Sequence, residues 1–292
     1  MRSSHHATLA GFGAILLWST LALLSRGAAR IPAYQLLALS FAVGVGATLL
    51  ATVLRHGLRA GLARCAAPPR ALALGFAALF GFHALYFHAL KLAPAASASL
   101  IVYLWPLLLA LGAAWRECEA RSTRLAAAVL GLFAAILVLG GDRSEGGAQA
   151  TLGYGFALAS ALVWAGYSLS NRRFAALPAE TLIPACALTA SAGLVAHGLG
   201  ETWVTPAPLE WSAIAALGVG PVGGAFLLWD GATKRGDLGL LGSAAYAAPV
   251  LSTFWLALAG EASASPRLFL AAALIVAAAA LGQRRARAVS AG

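Results

Sequence analysis

The run Thr8–Ser25 reads TLAGFGAILLWSTLALLS and contains no charged side chain. A bilayer core about 30 Å thick needs about 20 mostly apolar residues of α-helix to cross it. Runs of this kind recur along the chain, at residues 8–25, 33–54, 71–90, 95–115, 123–140, 151–170, 181–199, 210–232, 238–259 and 266–283. Membrane β-strands would be segments of about 10 residues with strict alternation, which these runs lack. The sequence therefore predicts an all-α polytopic membrane protein with ten transmembrane helices.

The composition excludes a soluble domain. Only 10% of the residues are charged and 61% are hydrophobic, with a mean hydropathy of +0.82, whereas soluble domains carry about 25% charged residues. The net charge of +10 comes from basic residues scattered between apolar runs, without a basic stripe interleaved with aromatics, so we expect no nucleic-acid partner. Three cysteines are too few and too irregularly spaced for a disulfide framework or a zinc site, and we expect no metal and no cofactor.

The basic residues also predict the orientation. Fifteen of the 20 Lys and Arg residues lie in the segments on one side of the predicted spans, and five on the other. Cytoplasmic loops of membrane proteins carry the excess of Lys and Arg. Both termini are therefore expected to be cytoplasmic, with the first run kept as a membrane helix rather than removed as a signal peptide.

A Gly-rich charged segment, GGDRSEGGAQA at Gly140–Ala150, divides the chain into two halves of five runs. We predict a first repeat at residues 1–143, a linker at 144–150 and a second repeat at 151–292, together forming one transport domain. Uncommon residues recur in order at offsets of 143 to 146, namely Trp18 and Trp164, Lys91 and Lys234, Tyr103 and Tyr246, Pro106 and Pro249, Glu117 and Glu261, and Arg124 and Arg267. Since five is odd, the repeats must be inverted, which favours a substrate site at the midplane and alternating access.

Several segments resemble the drug/metabolite transporter superfamily of EamA type. They are Thr8–Thr20 (TLAGFGAILLWST), Tyr103–Pro106 (YLWP), Leu139–Asp142 (LGGD), Trp164–Arg172 (WAGYSLSNR) and Tyr246–Thr253 (YAAPVLST). Within that superfamily the chain looks most like the YddG-type exporters of aromatic amino acids. The resemblance covers essentially the whole chain, and it implies a bacterial inner-membrane exporter with ten helices and a central cavity.

Aromatic and polar residues predicted to lie deep in the membrane are the candidates for substrate binding. They are Trp18, His83, Tyr86, Tyr103, Trp105, Trp164, Tyr167 and Tyr246. Aromatic rings offer apolar area and a face that attracts an ammonium group, but rings of this kind also pack between helices. Trp203 and Trp211 lie beside an outer loop and suit the interfacial belt. His83 suits either a substrate or proton role, or a neutral ring held by a hydrogen bond between helices.

Prolines and glycines predict where the spans bend. Pro106 and Pro249 lie inside runs, remove a backbone hydrogen bond and favour a kink, so we assign them as hinges, although they also fit a purely shaping role. The glycines around Pro221 would let the eighth run bend or pack closely. Asp230 and Lys234 lie four residues apart near the end of that run, where they could form a pair or reach towards the interface.

The predicted function is export of small solutes, with aromatic amino acids as the substrates. An exporter of drugs or other small metabolites from the same superfamily is the alternative, and a membrane-embedded enzyme is the alternative from another class. No His-Glu-x-x-His, Gly-x-Ser-x-Gly or paired membrane carboxylates occur, so we predict that the chain is not an enzyme. The expected partners are a small-molecule substrate and the lipid bilayer, with the chain acting as a monomer.

Overall fold

The computed structural model describes residues 2–93, 95–114, 121–139 and 148–260, with five single positions between 266 and 277. All regular structure in these residues is helical. The long helical stretches are α1 (Ser4–Arg26), α2 (Ala33–His56), α3 (Pro69–Leu92), α4 (95–114), α5 (Arg121–Leu139), α6 (Gln149–Phe174), α7 (Ala179–Gly200), α8 (Pro208–Arg235) and α9 (Leu238–Leu258). Seven of them, all but α4 and α5, have the length and hydropathy of a membrane span.

These seven helices coincide with seven of the ten predicted runs. The fourth and fifth runs are also helical, but the fourth is interrupted, and the tenth run lies largely outside the described residues. The last three residues of the predicted linker are helical, since the helix that forms most of α6 begins at Ala148. Ala148, Gln149 and Ala150 are good helix formers and extend the span backwards.

The helices pack so that the bundle has two distinct ends. The end of α8 meets the end of α6, where Asn171 bonds Asp230, and the start of α7, where Thr181 bonds Lys234. The end of α3 instead meets the start of α6, where a side chain at Gly153 would touch Ala93. We call the first the arginine-rich end, because Arg55, Arg59, Arg64, Arg70, Arg172, Arg173 and Arg235 lie there. Arg26, Arg30 and Lys91 lie at the opposite end.

Two helices are broken shortly before their prolines. In α4, residues Ala95–Val102 and Trp105–Ala114 are helical and a turn separates them, while in α9 a turn at Ala245 and Tyr246 precedes Ala247–Leu258. A proline cannot donate to the carbonyl four residues earlier and its ring clashes there. The break therefore lies before Pro106 and Pro249 rather than at them. The two breaks occupy matching positions of the proposed repeats.

The eighth run packs closely against α2, as its glycines predict. Gly218–Gly224 forms a π-helical segment with Pro221 inside α8. A Cβ atom at Gly44 of α2 would lie 2.8 Å from the carbonyl oxygen of Gly218, and one at Gly223 would lie 2.9 Å from the Cα of Gly44. Larger side chains would separate the two backbones. This contact joins a helix of the first half to a helix of the second.

Glu201 holds the start of α2 at the opposite end of the bundle. Its carboxylate accepts hydrogen bonds from the backbone amides of Tyr34 and Gln35, at 3.1 and 3.2 Å, and lies 2.9 Å from the His197 ring. Burial alone would raise the pKa of Glu201, but these hydrogen bonds outweigh it and lower the pKa. The first amides of α2, which have no partner within their own helix, are thereby bonded by Glu201, the residue that follows α7.

Candidate functional site

Four tryptophans from four helices meet inside the bundle. The ring of Trp18 on α1 lies 6.4 Å from Trp105 on α4, 5.8 Å from Trp164 on α6 and 5.1 Å from Trp229 on α8, measured between ring centroids. Phe226 on α8 joins them, 5.8 Å from Trp18 and 5.5 Å from Trp164. We call these five residues the aromatic cluster. It brings together helices of both halves and three of the predicted site residues.

Two indole nitrogens of this cluster, those of Trp18 and Trp229, have hydrogen-bond partners. Trp18 Nε1 donates to the carbonyl oxygen of Pro221 at 3.0 Å, inside the π-helical segment of α8. Trp229 Nε1 donates to the Ser168 hydroxyl on α6 at 3.1 Å. A buried indole N–H needs such a partner. The two bonds fix the ring planes and leave the faces and edges of the rings as the surfaces that contact neighbours.

His83 lies beside the cluster in an apolar setting. Its ring is 6.1 Å from Phe226, 5.5 Å from Phe41 and 5.2 Å from Phe82. Nδ1 lies 2.6 Å from the carbonyl oxygen of Leu79 in the same helix. Donation to that carbonyl places the proton on Nδ1, so the neutral ring keeps Nε2 as an acceptor. This bond lies within α3, whereas a ring held between helices would bond a neighbouring helix.

Tyr86 and Tyr103 lie towards the opposite end from the cluster. Tyr86 Oη shares a hydrogen bond of 2.7 Å with Ser99 Oγ on α4, and its ring is 6.0 Å from Phe82. Tyr103 lies in the break of α4, in the turn that follows Ala95–Val102. Both side chains are only partly buried. Tyr86 adjoins the aromatic cluster through Phe82, whose ring lies 5.6 Å from that of Trp164.

Tyr167 connects the cluster to a polar network at the arginine-rich end. Its ring stacks on Trp164 at 5.3 Å, and its hydroxyl donates to Asp230 Oδ1 at 2.8 Å. Asn171 Nδ2 donates to the same oxygen at 2.9 Å and to Thr233 Oγ1 at 2.9 Å. Lys234 Nζ lies 2.6 Å from Asp230 Oδ2. We call these five residues the polar network.

Tyr246 is the predicted site residue that the structure does not bring to the others. It lies in the break of α9 and packs against Ala110 of α4 and Ala128 of α5. Its ring also covers Gly131, where any side chain would collide with it. Pro106 and Pro249 are buried in the helical segments that follow the two breaks. The structure therefore groups Tyr246 with the predicted hinge prolines.

Sequence reasoning missed Phe226 and Trp229, which contribute two of the five rings of the cluster. A usable signal existed in the repeat. Phe226 stands 143 residues after His83 and Trp229 stands 143 residues after Tyr86. Applying the offset to the predicted site residues themselves would have selected both. Phe41 and Phe82 had no comparable signal, because single phenylalanines are common in apolar runs.

Apolar helices of spanning length that pack around an aromatic cluster define a multi-pass membrane protein, the class to which transporters belong. Residues 6–140 match the model of the EamA-like transporter family. The chain is also 45% identical over 288 residues to the "Aromatic amino acid exporter YddG" of Ancylobacter novellus, covering 98% of this chain and 99% of that protein. The chain belongs to the EamA-like transporter family, and is a transporter rather than an enzyme.

A solved crystal structure, described only as that of a protein, has the same fold. It superposes with a TM-score of 0.90 at 43% sequence identity, covering 97% of this chain and 98% of the other. The similarity extends over both halves, beyond the residues that the family model matches. The arrangement of helices around the aromatic cluster is thus shared with a protein of known structure.

Proposed function

We propose that this protein is a bacterial inner-membrane exporter of small solutes and that its substrates are aromatic amino acids. The observation that carries the proposal is the aromatic cluster, in which rings from α1, α4, α6 and α8 meet at the seam between the halves. Edge-to-face and offset contacts suit an additional aromatic ring. The name of the Ancylobacter relative supports the same substrate class.

The proposed architecture is ten helices in two inverted repeats, residues 1–143 and 151–292. The helix packing supports it, because several of the most extensive pairings have a counterpart when the halves are exchanged. The contact of α1 with α8 corresponds to that of α6 with α3, that of α4 with α6 to that of α9 with α1, and that of α2 with α8 to that of α7 with α3. The contacts α2 with α7 and α4 with α9 correspond to themselves. Such symmetry is the geometric basis of alternating access.

We assign the substrate-binding role to residues around the cluster. The predicted residues Trp18, His83, Tyr86, Tyr103, Trp105, Trp164 and Tyr167 keep that role, and Phe226 and Trp229 join them. Tyr246 lies apart, so we move it to the hinge group with Pro106 and Pro249. The breaks before these prolines leave backbone groups without their helical partners, which makes bending easier there.

The arginine-rich end is proposed to face the cytoplasm, with both termini on that side. The basic residues at this end support the orientation through the excess of Lys and Arg in cytoplasmic loops. In the conformation described here the polar network fills this end. Counted as whole residues, Asp230 and Lys234 are only 2% and 3% exposed. The state is therefore proposed to be closed towards the cytoplasm.

Efflux from proteoliposomes tests the function. Purified protein is reconstituted, the vesicles are loaded with labelled tryptophan or phenylalanine, and efflux is followed with and without a pH gradient against protein-free vesicles. We expect efflux in both conditions, because no acidic side chain belongs to the aromatic cluster. Efflux only with a gradient would indicate proton coupling, and no efflux in either condition would contradict the assigned substrate.

A further inference from the structure

An ion pair lies buried in a membrane-spanning helix. Asp230 and Lys234 are one turn apart on α8, with 2.6 Å between Oδ2 and Nζ. Their side chains are 3% and 2% exposed. Burying two charges costs several kcal/mol per ion, by order of magnitude, unless geometry and further hydrogen bonds compensate. A buried charge pair inside a membrane-spanning helix therefore points to a functional role.

The pair is held by the helices on either side of it. From α6, Tyr167 and Asn171 donate to Asp230 Oδ1 at 2.8 and 2.9 Å. Towards α7, the Lys234 ammonium donates to the Pro178 carbonyl at 3.2 Å and to Thr181 Oγ1 at 3.3 Å. Oδ2 has the ammonium as its partner. Movement of α6 and α7 away from α8 would therefore expose a carboxylate and an ammonium together.

The pair also adjoins the aromatic cluster directly. Trp229 of the cluster precedes Asp230 in the chain, and Tyr167 has its ring on Trp164 and its hydroxyl on Asp230. A molecule that reached the exposed pair would have its next contacts with tryptophan rings. An aromatic amino acid has the matching parts, an ammonium and a carboxylate on one carbon with an aromatic ring beside them.

We infer that Asp230 and Lys234 bind the ammonium and the carboxylate of the amino acid when the arginine-rich end is open. This inference rests on the function proposed above. The substrate ammonium takes the place of Lys234 at the Asp230 carboxylate, and the substrate carboxylate binds the freed Lys234 ammonium. One ion pair becomes two, and the net charge of the site stays unchanged, which limits the electrostatic cost in a medium of low dielectric constant.

The site exists at one end of the molecule. At the matching positions of the first repeat, 143 residues earlier, Phe87 stands for Asp230 and Lys91 for Lys234. Lys91 is exposed, and its ammonium lies 5.9 Å from the centre of the Tyr34 ring. A carboxylate–ammonium pair at the end proposed to be cytoplasmic suits an exporter, which takes up its substrate there and releases it where the pair has no counterpart.

Competition in inside-out membrane vesicles tests the inference. Uptake of labelled tryptophan is competed by tryptamine, which has the ammonium alone, and by indole-3-propionate, which has the carboxylate alone. In the wild type we expect tryptophan to bind more tightly than either. Lys234→Met should reduce the preference over tryptamine about tenfold, and Asp230→Asn should do the same for indole-3-propionate, as expected for loss of one charge-assisted contact. Lys91→Met, the matched control, should leave both ratios unchanged.

Each single variant leaves one buried charge unpaired. The double variant Asp230→Asn with Lys234→Met leaves no buried charge, and therefore tests the inference in a protein whose folding is less disturbed. Ligand-induced thermal stabilisation in detergent gives the same ratios for variants that no longer transport. Wild-type ratios in the double variant, or an equal effect of Lys91→Met, would overturn the inference while tryptophan uptake by the wild type upheld the proposed function. Absence of wild-type uptake would instead overturn the proposed function itself.

Discussion

The two ends of the bundle carry matching positions of the proposed repeats but are packed differently. At the arginine-rich end, Asp230 and Lys234 are buried and bonded to α6 and α7. At the opposite end, the corresponding Phe87 is partly buried and Lys91 is exposed. A symmetric protein would seal both ends in the same way. The difference shows that the described residues form a buried polar network at the arginine-rich end, whereas the matching positions at the opposite end carry no such ion pair.

The largest expected effect comes from breaking the Asp230–Lys234 ion pair at the arginine-rich end. Lys234→Met leaves the Asp230 carboxylate buried without its counter-charge, which should lower the free energy of unfolding by about 3 kcal/mol. Lys91→Met removes an exposed ammonium over one ring and should cost less than about 1 kcal/mol. Thermal unfolding of both variants in detergent measures the difference. Equal losses would show that the two ends do not differ in the way described.

The aromatic cluster lies between the two ends, and Trp164→Ala should damage transport most. The ring contacts Trp18, Phe226 and Tyr167, so its removal opens the substrate site and frees Tyr167 from the cluster. We expect tryptophan efflux to fall about tenfold or more. Trp203→Ala is the control, because this ring is 49% exposed in the segment between α7 and α8. Similar efflux from the two variants would refute the distinction between cluster and belt tryptophans.

A smaller effect is expected at His83. The ring bonds its own helix and is otherwise surrounded by phenylalanines, so His83→Gln keeps one hydrogen-bonding group in place and loses ring contacts. Efflux should fall by about threefold. This loss is smaller than the one expected from removing an average hydrogen bond to a charged group. Efflux assays at matched expression measure it. Complete loss of transport with a normally folded protein would favour an obligate proton role for this histidine.

The sequence predicted the spans well because hydropathy is a local property. The start of α2 at Ala33 and of α9 at Leu238 agree with the predicted runs, and the other five candidate spans of the described residues differ from their runs by a few residues. The breaks were harder to place, since a proline acts on the carbonyl four residues before it. The interruptions at Tyr103 and Tyr246 therefore precede the prolines that cause them.

The site was predictable only in part because tertiary packing decides it. Trp18, Trp105 and Trp164 were expected to lie deep and do meet in the cluster. Tyr246 occupies the position that matches Tyr103 in the proposed repeat. Its ring packs over Gly131, where the absence of a side chain leaves room for it, and not in the aromatic cluster. The spacing of Asp230 and Lys234 allowed both a pair and separate side chains. The deciding bonds come from α6 and α7, which no pattern within α8 reveals.

The most direct test of the account is thiol labelling at two matched positions. Ser168→Cys lies one turn after Trp164, at a position that is buried on the side of the arginine-rich end. Ala22→Cys lies one turn after Trp18, at a position that is only partly buried. Each is made in a background with Cys65, Cys118 and Cys186 replaced, and labelled with a small water-soluble thiol reagent in permeabilised membranes. The minor state of a two-state protein is typically populated at about 10% or less.

We therefore predict that the cysteine at 22 reacts about tenfold faster than the one at 168 without substrate. Added tryptophan should change the two rates in opposite directions, because one end opens as the other closes. Equal rates without substrate, or rates that rise or fall together on adding tryptophan, would contradict alternating access between these ends.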